Sequence, residues 1–136
     1  MKKNSLIYLV LLFSIIATNA AIRTRSAIAL EQYPQSQQDA STLLETLTKK
    51  NNAVIFFHSN GCNLCEKVSP LFSELALQFP SLLFIKINTN IFQSLADKYN
   101  INLVPTILFI RKGKIIKRHI GSLTKESGIS IINKLY

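Results

Sequence analysis

A chain of 136 residues leaves room for one domain. Its formal charge of +9 is uneven. Lys2, Lys3, Arg23 and Arg25 lie in the first 30 residues with no acid among them, while 12 Lys and Arg face 7 Asp and Glu from Glu31 onward. The result is a mildly basic domain without the basic patch and interleaved aromatics that nucleic acid requires, so no nucleic-acid partner is expected.

Lys2-Lys3, an apolar run from Leu6 to Ala17 and the small residues Thr18-Asn19-Ala20 follow the three-part pattern of a secretory signal peptide over residues 1–21. An uncleaved anchor, giving a membrane tether, is the competing reading. Extended to Ile22, the run reaches 17 residues, the short limit for a helix that crosses a bilayer. Either reading predicts an extracytoplasmic location: secretory pathway, periplasm, or membrane-anchored facing outward. Ile22 to Leu30 is basic and free of acids, which keeps open an organelle reached through a signal peptide plus a transit-like segment. Residues 22–38, basic and then polar, read as a linker, and the folded domain is expected over 39–136.

Asp39 or Ser41 is placed to cap a helix with Leu43, Leu44 and Leu47 on one face. Ala53 to His58 reads as a buried strand. Cys62-Asn63-Leu64-Cys65 follows, and then a helical pattern to Phe79 with Val68, Leu71, Phe72, Leu75, Leu77 and Phe79 apolar. Pro70 inside that helix predicts a kink. Leu82 to Asn88 is a second strand, and Ile91 to Tyr99 a short helix with Ile91 and Leu95 inward. Thr106 to Arg111 and Lys114 to Ile120 form an antiparallel hairpin around Lys112-Gly113, and Thr124 to Leu135 is a closing helix. Strands joined by helices, with a hairpin at one edge, give an α/β fold: a mixed sheet with helices on both faces.

Both cysteines sit in one motif. Two residues apart, they cannot staple a fold of this size, so chemistry is their reading. A Cys-x-x-Cys at a strand-to-helix junction is the form of a dithiol/disulfide redox site. Cys62 is expected at the helix N-terminus, where exposed N–H groups and the helix dipole stabilise a thiolate. Cys65, one turn on, is expected to be better buried and placed to attack a mixed disulfide on Cys62.

From Asp39 to Tyr136 the chain resembles the thioredoxin family. The resemblance rests on Cys62-x-x-Cys65, on Pro70 five residues later and on Lys86 in the next strand. It extends to Val104-Pro105-Thr106 and to Gly113 and Gly121 in order. It implies a thioredoxin-like fold with a four- to five-stranded sheet, Cys62 as nucleophile and Cys65 as resolving thiol. It also implies a cis Pro105 whose loop faces Cys62, and a Val104 backbone that pairs with substrate. Gly61, Val104, Pro105 and Gly121 are thus the expected substrate-binding positions. The implied function is thiol–disulfide exchange with protein disulfides or thiols, coupled to an electron donor or acceptor, without cofactor or metal. The alternatives are a thioredoxin-fold binding or chaperone module with little redox activity, and a metal relay in which His58 and His119 complete the two cysteines.

The chain departs from the family at Gly61, where Trp is common, and at Asn63-Leu64. Glu66 stands where a basic residue is common, and Phe56 where the family has a buried acid, leaving Lys86 without that partner. No strand is evident in Ile28 to Tyr33, where the family's first strand would fall.

Overall fold

The computed structural model describes residues 28–29 and 37–136. The expected signal or anchor, residues 1–21, lies outside the described residues. The elements in chain order are β1 (Ile28–Ala29), α1 (Gln37–Lys50), β2 (Ala53–His58), α2 (Asn63–Gln78) and β3 (Leu83–Asn88). Then come α3 (Gln93–Lys98), β4 (Thr106–Arg111), β5 (Lys114–Ile120) and α4 (Lys125–Leu135). The strands lie in the order β1-β3-β2-β4-β5. β1 and β2 run parallel to β3, while β4 is antiparallel to both β2 and β5. This is the thioredoxin-like mixed sheet expected from the resemblance.

β2 and β4 are apolar almost throughout because both faces of the sheet are covered. On one face Leu44 of α1 and Leu95 of α3 pack on Phe57, Ile87 and Leu108. On the other, Phe72 of α2 and Ile132 of α4 pack on Phe56, Phe84 and Phe109. Phe72 meets Phe56 at 5.3 Å and Phe84 at 5.1 Å between ring centroids, spacings that favour tilted aromatic pairs. β5 is an edge strand, and Lys114, Ile115 and Lys117 on it are exposed.

Four expectations are corrected. A strand does form before the first helix: Ile28 and Ala29 pair with Ile85 and Lys86. Two residues are too few for strand alternation to show in a sequence, and they lie inside the stretch read as linker. α1 begins at Gln37, so Asp39 and Ser41 are inside the helix rather than at its cap. Ile91 is 48% exposed, and Phe92, at 3%, is the residue that enters the core. The backbone N–H groups of both residues turn back onto the Asn88 carbonyl, which delays α3 to Gln93. Leu77 is 66% exposed, on the solvent side of α2. That helix continues through Pro70, whose ring is exposed.

Candidate active site

The register sets the site. His58 pairs with Asn88, Phe57 with Thr106, and Thr106 with Ile120. The ends of β2, β3 and β5 and the start of β4 therefore meet at one end of the sheet. The loops from these ends carry Gly61-Cys62, Asn88–Asn90, Val104-Pro105 and Gly121.

Cys62 is the N-cap of α2, with extended backbone (φ −88°, ψ 95°). Its sulfur accepts the Cys65 N–H at 3.2 Å. Sulfur thus takes the place of the oxygen that usually satisfies a free amide at a helix start. Cys65 follows one turn later with its Cα 5.2 Å from that of Cys62, and the two are joined as a disulfide. The two cysteines differ in access: Cys62 is half-buried, Cys65 only 4% exposed. Cys65 packs with Phe56, Val68 and Phe72, and Cys62 and Val104 lie against the same cluster. Glu66, in the first turn of α2, is exposed.

The Val104–Pro105 peptide bond is cis, as the resemblance implied. The loop is fixed on both sides. Thr106 Oγ1 donates to the Leu103 carbonyl at 2.7 Å, and the Gly121 N–H donates to the Pro105 carbonyl at 2.9 Å. Among the described residues, no backbone group takes up the Val104 N–H or C=O. Gly61 (φ +69°) and Gly121 (φ +96°) both adopt left-handed backbone, and a Cβ on either would point into open space. Leu64 and Leu103 are exposed beside the loops. Behind this loop Arg118 donates to the Tyr99 and Asn100 carbonyls at 2.7 and 3.2 Å, closing the end of α3. Burial raises the Tyr99 phenol above its ordinary pKa.

The His58 ring lies 5.4 Å from Phe56, and His119 Nε2 is 2.7 Å from the Ser122 carbonyl. Among the described residues no group of three or more His, Cys, Asp or Glu is placed to hold a metal. Lys86, across from Phe56 in the ladder, is bound to α2 through Ser69 and Ser73. Sequence reasoning missed two features here: those serines, and an asparagine cluster, Asn60, Asn88 and Asn90, beneath the cysteine loop. Asn residues at strand ends were the available signal, though they read equally as ordinary turn formers.

A family model for thioredoxin matches residues 35–134. Thioredoxin H1 from Arabidopsis thaliana is 32% identical over 95 residues, 67% of this chain and 83% of that protein. The thioredoxin of Mycoplasma genitalium is 33% identical over 91 residues, 67% of this chain and 89% of its own length. Among solved structures, thioredoxin NaTrxh from Nicotiana alata superposes with a TM-score of 0.70 at 21% identity. That match covers 80% of this chain and 91% of that one, and it bears on the fold.

These relatives overturn the extracytoplasmic location, and its organelle variant, expected from the N-terminus. They are H-type thioredoxins of plants and a mycoplasma thioredoxin. No helix among the described residues is long and apolar enough to cross a membrane. A family model that spans the folded domain, together with relatives at this identity over most of their length, establishes that the chain belongs to the thioredoxin family of protein thiol–disulfide oxidoreductases.

Proposed function

We propose that Cys62 is the attacking thiol and Cys65 the resolving thiol in exchange with protein disulfides. The observation that carries this is the asymmetry of the pair. Cys62 is the accessible sulfur and receives an amide N–H at the start of α2, whereas Cys65 is enclosed. A sulfur so placed is stabilised as thiolate, the species that attacks.

In the reduced protein the Cys62 thiolate attacks one sulfur of a substrate disulfide. A Cys62–substrate bond forms, and the other substrate sulfur leaves as thiolate and takes a proton. Cys65 then gives up its proton and attacks Cys62. The internal disulfide closes, and the second substrate sulfur leaves and is protonated in turn. Two electrons and two protons pass to the substrate, and a dithiol donor returns them to the pair. The net direction follows the potentials of donor and substrate.

Gly61, Val104, Pro105 and Gly121 form the substrate platform in this reading. The free Val104 backbone groups can pair with an extended segment, and the open space over Gly61 and Gly121 lets that segment approach. Insulin reduction by dithiothreitol tests the assignment. Cys62→Ser should reduce the rate to background. Cys65→Ser should accumulate a mixed disulfide on Cys62. If Cys62→Ser retains the wild-type rate, the assignment is wrong.

A further inference from the structure

Gly61 contributes no side chain that could tie the residue before Cys62 to the sheet, and its Cβ position is empty. The loop is held instead from one residue earlier. The Asn60 N–H donates to Asn90 Oδ1 at 2.7 Å. Asn88 Nδ2 donates to Asn60 Oδ1 at 2.8 Å, and the Asn90 N–H donates to Asn88 Oδ1 at 3.0 Å. The three asparagines therefore close a ring of hydrogen bonds between the end of β3 and the cysteine loop. Asn88 is its buried member, at 6% exposure. The other end of the loop is fastened too: the His58 carbonyl accepts the Thr89 N–H at 2.8 Å and Thr89 Oγ1 at 3.1 Å. Beyond these fastenings Gly61, with φ +69°, leads into Cys62, whose carbonyl accepts the Glu66 N–H at 3.1 Å in the first turn of α2.

We infer that Asn60, Asn88 and Asn90 are positioning residues that set the reactivity of Cys62. The inference rests on Cys62 being the attacking thiol. The physical link is the 3.2 Å approach of the Cys62 sulfur to the Cys65 N–H. Thiolate stabilisation at a helix start falls off within the first turn, so a sulfur free to swing away loses it. The ring holds Cys62 by holding the backbone two residues upstream. Removing one of its bonds lets residues 60–62 rotate about Gly61 while leaving the packed core intact.

The test uses the full chain, reduced, with iodoacetamide as probe, followed from acid to alkaline pH and with the labelled cysteine mapped by mass spectrometry. Asn90→Ala removes the acceptor for the Asn60 N–H. Asn60→Ala, at an exposed position, removes the acceptor for Asn88. Each should move the alkylation profile of Cys62 to higher pH by about half a unit or more, which slows labelling near neutral pH about three-fold. kcat/KM for insulin should fall in parallel. Thermal unfolding is measured alongside, because a purely structural role would lower the melting temperature and leave the profile in place. Wild-type label on Cys65 instead of Cys62 sinks the nucleophile assignment, and the inference falls with it. Label on Cys62 with the wild-type profile in both folded variants sinks the inference alone. Should Asn90→Ala fail to fold, Asn60→Ala decides.

Discussion

Phe56 and Lys86 stand opposite one another in the parallel β2–β3 ladder, yet the Lys86 ammonium is directed to α2. It donates to Ser69 Oγ at 2.8 Å, to Ser73 Oγ at 3.0 Å and to the Ser69 carbonyl at 3.2 Å. A half-buried cation is tolerated where its donors are satisfied, and the two hydroxyls on successive turns of α2 provide for that. Replacing both serines by alanine should destabilise the protein by about 2 kcal/mol, because charge-assisted bonds are lost while the charge stays. Lys86→Met should cost under about 1 kcal/mol, since it removes the charge together with its need for partners. Urea unfolding ranks the two, and the reverse order would show that the serines do not support the lysine.

Tyr136 fastens the opposite end of the sheet. Its hydroxyl lies 2.9 Å from the carbonyls of both Ala53 and Ile110, neighbours across β2 and β4. Tyr136→Phe should cost about 1 kcal/mol. Burial pushes the phenol pKa up to about 12 from 10.0, so the folded chain holds this proton more tightly than the unfolded one. The stability it brings is complete below the unfolded value and is lost as pH rises through the folded one. Between about pH 9 and pH 11, the wild-type urea midpoint should therefore fall further than that of Tyr136→Phe.

Gly128 is where α4 comes down on α2. A Cβ there would stand 2.8 Å from Leu75 Cδ1, and Leu75 is itself buried. Gly128→Val should cost about 1–3 kcal/mol through overpacking. Gly128→Ala should cost less, because helix propensity returns up to about 1 kcal/mol. Chemical denaturation of the two variants checks the order.

Glu45 on α1 accepts from Lys98 of α3 and lies 3.9 Å from Lys49. The Lys98 hydrogen bond and charge hold its carboxyl below the usual value of 4.5. With a depressed folded pKa, the contribution is present above that value and disappears as pH falls through the lowered one. Both groups are exposed, so the effect is small and screened by salt. Glu45→Gln should melt slightly below wild type at neutral pH and low salt. The gap should vanish in roughly 0.5 M salt, where the Debye length is only a few ångströms.

The site was legible where spacing along the chain carries the chemistry. Cys62 and Cys65 must share one turn of helix, whereas Val104, Pro105 and Gly121 came from the resemblance to the thioredoxin family and not from local pattern. Asn60, Asn88 and Asn90 were not legible, because their meeting depends on β2 and β3 ending level with one another, a property of register rather than of local pattern. Lys86 illustrates the same limit. Its position in a strand was readable, but its partners are two serines on a helix 13 and 17 residues earlier. The two-residue β1 was invisible for want of length, and Ile91 and Phe92 exchanged places because a turn at Asn88 shifted the phase of the helix.

The exposed side chains of Lys114 and Lys117 stand along β5, whose outer backbone groups have no strand beside them among the described residues. An unpaired strand of this length is a template on which a second copy could zip up. Two such edges brought side by side would set like charges against each other at strand spacing, so the side chains of β5 guard it against fibre-like growth.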